Sequence, residues 1–214
     1  YIQFTPVVER MAERMDGLKL LSRKNKEEIA VTEWSVPALA YGQFLTTIFD
    51  EWLKADVGRF FVTMFDATLA GYMNVSPGTC VWSKTCGHVG AMEFNGDVYS
   101  CDHFVFPEYK LGNLNTSSMI SMMLSPEQMR FGQAKYDTLP KQCRACEFLT
   151  QCYGECPKNR IIKTADGEEG LNYLCAGFKH YFNHVKPYME FMANELRHQR
   201  SPMNVMPWAR QRKK

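Results

Sequence analysis

The chain has 214 residues, a formal net charge of +2, 45% hydrophobic residues and 22% charged residues. That balance excludes global disorder, which needs low hydrophobicity and high net charge, and it leaves no basic footprint for a nucleic-acid partner. No segment reaches the roughly eighteen uninterrupted apolar residues of a membrane span, because the longest apolar stretch, residues 36–48, is broken by Gly42, Gln43, Thr46 and Thr47; a cytoplasmic protein without a membrane partner is expected.

Residues 1–8 carry the β-branched and aromatic content of a buried strand, with Ile2, Phe4, Val7 and Val8 among them. The chain enters that strand without Met or a basic-then-apolar leader, so an upstream segment is expected. From Ser35, a suitable N-cap, apolar residues recur at Tyr41, Phe44, Leu45, Ile48, Phe49 and Trp52. This stripe predicts an amphipathic helix, with Gly58 as its stop. Residues 59–65 read as a second strand and residues 66–72 as a short helix. Strand, helix, strand, helix is the pattern of the end of a β/α barrel, assigned here to residues 1–75.

After Met73 the texture becomes loop-rich and cysteine-rich. Asn95 and Gly96 lie between Glu93 and Tyr99 and predict a hairpin turn, which can bring Cys86 and Cys101 together. Met119, Met122 and Met123 recur at helical spacing and are read as packing residues. Residues 171–200 repeat apolar positions (Phe178, Tyr181, Phe182, Val185, Tyr188, Met189, Met192, Leu196) and predict a terminal helix, with a bend near Pro187 and Cys175 at its start. Residues 191–214 form the end of that helix and a tail carrying Arg210, Arg212, Lys213 and Lys214, expected to be solvated and partly disordered.

The eight cysteines, Cys80, Cys86, Cys101, Cys143, Cys146, Cys152, Cys156 and Cys175, all lie beyond residue 79. Disulfides suit small exported domains, and no export signal is seen. Metal ligation is the better account, because a C-x2-C pair presents two thiolates from one turn and eight thiolates make two sets of four. Two zinc ions and two cubane iron–sulfur clusters satisfy that arithmetic equally. The run Cys143-x2-Cys146-x5-Cys152-x3-Cys156, followed by Pro157, is similar to a stretched bacterial ferredoxin motif, whose last cysteine ligates the other cluster.

The whole pattern, C-x9-G-x4-C over Cys86, Gly96 and Cys101, then the four-cysteine run, then Cys175, resembles the SPASM domain of radical S-adenosylmethionine (SAM) enzymes. Cys80, the Cys101–Asp102 pair and the opening Gln3, Phe4 and Pro6 narrow the resemblance to anaerobic sulfatase-maturating enzymes. It implies an α/β fold: the C-terminal end of a partial radical SAM barrel, followed by a loop-rich α+β SPASM domain over residues 76–190. It also implies two auxiliary [4Fe–4S] clusters with crossed ligation. Cys80, Cys86, Cys101 and Cys156 would hold one, and Cys143, Cys146, Cys152 and Cys175 the other. The family's C-x3-C-x2-C motif, which holds a third cluster and SAM, has no counterpart here; Cys152-x3-Cys156 begins it, but position 159 is Asn159. The radical-generating half is expected upstream of Tyr1, and the chain alone should be inactive.

In the intact enzyme the resemblance implies oxidation of a Cys or Ser side chain of an unfolded sulfatase to Cα-formylglycine, with electrons supplied by a donor such as flavodoxin or ferredoxin. Asp102 would be the general base that takes the proton of the target thiol or hydroxyl, held on a rigid hairpin by its neighbouring ligand. Without the family, an Asp in that position is more often a turn residue. Val8 falls where the Gln-Phe-x-Pro motif places an apolar SAM contact; Leu is expected there, and burial in a strand explains Val8 almost as well. His180 and His184 share a helix face and could bind a metal, although packing or surface roles suit them better. His88 and His103 flank cysteines, with hydrogen bonding to the site or simple exposure both open. Two rivals remain: another SPASM maturase, installing a thioether or crosslink in a ribosomal peptide, and a non-enzymatic module with two zinc sites.

Overall fold

The computed structural model describes residues 1–10 and 31–212. Helix α1, Ala38–Ala55, buries Tyr41, Leu45, Phe49 and Trp52, as the stripe predicts, while Phe44 stays exposed and lies edge-on to Phe4. Ser35 does not cap this helix. Pro37 takes the N-cap position, and Ser35 Oγ is committed to a distant partner, accepting from the Glu9 N–H at 2.9 Å. Helix α2, Thr63–Met73, follows after Gly58, which adopts φ 78°.

The two expected strands shrink to one parallel bridge, Ile2 to Val62. The Ile2 N–H donates to Phe61 O at 2.8 Å and the Thr63 N–H to Ile2 O at 3.0 Å. Pairing goes no further for two reasons. Pro6 has no N–H for a ladder, and the backbone coils into α2 at Thr63, so residues 59–65 cannot remain extended.

Strands β1, Ala91–Met92, β2, Asp97–Tyr99, and β3, Lys110–Asn113, form an antiparallel sheet in that order. The expected hairpin joins the first two, with Gly96 at φ 85° where a side chain would be strained. Short α3, Met119–Met123, is capped by Ser118 and buries Met122, leaving Met119 exposed. Helix α4, Pro126–Asp137, starts with Ser125 accepting from the Gln128 N–H. Then come two single-turn helices, α5, Lys141–Arg144, and α6, Leu149–Cys152, and a small antiparallel pair, β4, Ile162–Lys163, with β5, Glu169–Leu171.

Helix α7, Cys175–Arg197, runs unbroken through Pro187 and packs along α1. The two backbones touch where Gly42 meets Gly177: a Cβ on Gly42 would lie 2.4 Å from Gly177 O. Phe49, Phe65, Tyr181, Phe182 and Met189 fill the core between α1, α2 and α7, each such side chain worth roughly 1.5–3 kcal/mol when fully buried. The basic tail is structured rather than disordered. Residues 205–212 form helix α8, whose Trp208 stacks on Phe191 with ring centroids 4.5 Å apart. Lys213 and Lys214 lie outside the described residues. No helix among the described residues is long and apolar enough to cross a membrane.

Candidate metal centre

Four thiols converge where α5, α6 and α7 meet. Cys143 sits in α5, Cys146 follows one turn later with its N–H donating to Cys143 O at 3.2 Å, Cys152 ends α6, and Cys175 opens α7. All four line one cavity with Phe148, Leu149, Phe178 and Phe182. Among the described residues no carboxylate or imidazole lines it, so the donors they offer are sulfur, suited to a soft metal centre. Burial pushes the Cys143 thiol up to about 11 and the Cys152 thiol up to about 12, with Cys175 adding to both shifts. Clustered thiols that resist ionisation are stable only protonated or on a cation. Burial also pushes the Cys175 thiol up, although Lys179 nearby works against the shift.

Among the described residues, Cys101, Asp102 and His103 bring three ligand atoms within 4.8 Å of one another.

The other four cysteines gather against one face of α4. The Gln128 amide donates to Gly87 O at 2.7 Å and to Ser100 O at 3.0 Å, clamping the residue after Cys86 to the residue before Cys101. The Cys86 N–H donates to Gly132 O, and a Cβ on Gly132 would stand 2.3 Å from Cys86 O. Lys135 Nζ donates to Cys80 O and Val81 O. Cys156 joins them: burial pushes the Cys101 thiol up to about 12 with Cys156 contributing, and the Cys156 thiol up to about 12 with Cys80 contributing.

Between the sets, residues 153–155 turn with positive φ at Tyr153, Gly154 and Glu155, which lets Cys152 face one set and Cys156 the other. Buried Arg160 holds that turn, donating to Gly154 O, Tyr153 O and Glu155 O, and to Lys135 O at 2.6 Å. The Glu155 carboxylate, also buried, accepts from Asn172 at 2.7 Å and Asn159 at 3.1 Å.

Asp102 is exposed on the loop after β2 and accepts from the Cys101 thiol at 3.1 Å. That bond, with the neighbouring His103, holds its carboxyl below the usual range, so it is ionised at neutral pH. His103 Nδ1 lies 3.4 Å from Cys156 Sγ, while His88 is exposed. Val8 is buried, and it lines a cavity of about 370 Å³ together with His103, Phe104, Phe106 and Lys158. Val8 and the loop that follows Cys101 therefore face the same space. His180 and His184 make no metal site: His184 Nε2 pairs with Asp50 at 2.8 Å across α1 and α7, and His180 is exposed.

Residues 86–147 match the SPASM family, described as an iron–sulfur cluster-binding domain. A serine-type anaerobic sulfatase-maturating enzyme of Bacteroides thetaiotaomicron is 57% identical over 206 residues, covering 96% of this chain and 50% of that protein. The chain is a homologue of the anaerobic sulfatase-maturating enzymes. The serine-type enzyme of Klebsiella pneumoniae is 30% identical, covering 86% of this chain and 41% of its own length. A cysteine-type enzyme of Clostridium perfringens is 26% identical, covering 80% and 46%. The chain thus spans about half the length of the curated relatives it matches. A solved structure titled "Native anSMEcpe with bound AdoMet and Kp18Cys peptide" superposes with a TM-score of 0.66 at 25% identity, covering 77% of this chain and 45% of that one. The fold is accordingly the radical SAM and SPASM α/β arrangement that the cysteine pattern implied.

Gln128, Gly132, Lys135 and Arg160 were not singled out in the sequence. Gln128 and Lys135 bond carbonyls 28 to 55 positions away, and Arg160 joins the nearby turn to Lys135 O, 25 positions away; nothing in their immediate neighbours signals this.

Proposed function

We propose that this chain is the cluster-bearing part of an enzyme that oxidises a side chain of a sulfatase polypeptide to Cα-formylglycine. Serine is the preferred target, since the similarity to the serine-type relative is much the stronger. The observation that carries the proposal is the gathering of four thiols round one apolar cavity, with a second four against α4.

Cys143, Cys146, Cys152 and Cys175 would hold one [4Fe–4S] cluster, and Cys80, Cys86, Cys101 and Cys156 the other. When bound, such clusters supply one-electron acceptors. The remaining work falls to this chain's own groups. Converting a CH2–OH to an aldehyde removes one hydrogen atom, one proton and one electron. Asp102 takes the proton: it is ionised, exposed, and held on a short loop after β2. The thiol hydrogen it accepts from Cys101 is lost once Cys101 becomes a thiolate ligand, which frees the carboxylate for substrate. Val8, which lines a cavity with Phe104 and Phe106, would supply an apolar contact to SAM. A third cluster, on an upstream C-x3-C-x2-C motif, a flavodoxin- or ferredoxin-type donor and a cytoplasmic setting complete the reading.

Iron, acid-labile sulfide and zinc per chain after strictly anaerobic purification test the reading. About eight iron and eight sulfide are expected; about two zinc and no sulfide would refute it. In the intact enzyme, Asp102→Asn should abolish formylglycine formation on a serine sulfatase peptide at unchanged iron content. Retained activity would remove Asp102 from the mechanism.

A further inference from the structure

Lys135 is a lysine with 1% of its surface exposed, a burial that lysine almost never reaches unless paired. It forms no ion pair with a carboxylate among the described residues. Its Nζ donates instead to two main-chain carbonyls, Cys80 O at 2.5 Å and Val81 O at 2.8 Å. Its own carbonyl accepts from Arg160 NH1, a second buried cation that has no carboxylate partner among the described residues. A positive charge in low-dielectric surroundings needs a negative one nearby. Burial works against the charge on Lys135, and the acidic groups that favour it are Cys86, buried Glu155 and Cys156.

The placement on α4 is specific. Gln128, Gly132 and Lys135 are spaced four and three residues apart, so they share one face. From that face Gln128 fixes the loops of Cys86 and Cys101, Gly132 meets Cys86 backbone to backbone, and Lys135 fixes the loop of Cys80. Three of the four cysteines of the set against α4 therefore hang from one helix face, and of these three residues Lys135 alone brings a charge to it.

We infer that Lys135 is a positioning residue for the Cys80, Cys86, Cys101 and Cys156 cluster, and that its buried ammonium raises the reduction potential of that cluster relative to a neutral side chain. Reduction adds one negative charge to a centre that four thiolates already make anionic. A fixed positive charge close by, screened by little water, favours the reduced form. The inference rests on the two-cluster reading above, and the experiment separates the two.

The whole 214-residue chain is purified anaerobically, and its clusters are titrated by EPR-monitored redox potentiometry, alongside iron and sulfide analysis. Absence of iron and sulfide in the unaltered chain would sink the two-cluster reading itself. With both clusters present, the first is identified as the redox step that Cys80→Ala abolishes. Lys135→Met should shift that step to lower potential by about tenfold in the reduction equilibrium, ~59 mV for a one-electron couple, and leave the second step in place. Lys84→Met, removing an exposed lysine on the neighbouring loop, should move neither step. Should Lys135→Met fail to retain the first cluster, Lys135→Gln is measured in its place, one bond shorter, uncharged and still able to donate to Cys80 O. An unmoved first step, or an equal shift from Lys84→Met, overturns the inference.

Discussion

Replacing Gly42 by Ala tests the contact that seats α7, and with it Cys175. The new Cβ would stand 2.4 Å from Gly177 O and 2.7 Å from Gly177 Cα, main-chain atoms that no rotamer change can move aside. Restoring ordinary contact at about 3.4 Å needs the helices to part by ~1 Å. Overpacking of this kind costs typically 1–3 kcal/mol, and the upper end applies because Tyr41, Leu45, Phe178 and Tyr181 lie along the same seam. Alanine returns about 1 kcal/mol of helix propensity. The net loss is about 2 kcal/mol, which for a chain of this size lowers Tm by ~4–8 °C. Thermal unfolding followed by circular dichroism, with exposed Gln43→Ala as control, measures it. Because Cys175 is the first residue of α7, iron bound by the Cys143, Cys146, Cys152 and Cys175 set should fall as well. A Tm within a degree of the unaltered chain, or higher, would refute the close crossing.

Three further outcomes are expected. Arg160→Met leaves the carbonyls of Tyr153, Glu155 and Lys135 without their donor and Gly154 O with Asn172 alone; at about 1–3 kcal/mol for each buried acceptor, the loss exceeds ~3 kcal/mol, and iron analysis should show both sets depleted, since the turn carries Cys152 to one and Cys156 to the other. Gly132→Ala places a Cβ 2.3 Å from Cys86 O, so iron should drop by about half, from the Cys80, Cys86, Cys101 and Cys156 set alone. Glu195 is held below its ordinary value of 4.5 by hydrogen bonds from Arg200 and Asn204; its contribution to stability is fully present above pH 4.5 and is lost as pH falls through the lowered folded value. The Tm gap between the unaltered chain and Glu195→Gln should therefore be widest near neutral pH and narrow on acidification below about 4.5; a gap that stays constant would remove the ion pair from the account.

Local chemistry was legible in the sequence. Thiol ligands announce themselves by spacing, because a C-x2-C pair needs only one turn to point two sulfurs the same way, and the Cys143–Cys146 turn does so. Asn95 and Gly96 specified the hairpin because a positive φ at Gly96 is available to glycine without strain. The stripe of α1 was readable because one face of a helix repeats with a short period. Tertiary structure alone decided the rest. Ser35 looks like a cap until the Glu9 backbone claims its hydroxyl. Residues 1–8 have strand composition, yet a ladder depends on what lies alongside, and α2 leaves only residues 61–63 to pair. Lys135 and Arg160 gave no signal in the sequence; the burial of Lys135 depends on carbonyls more than fifty positions away, whose places follow only once the chain has closed around them.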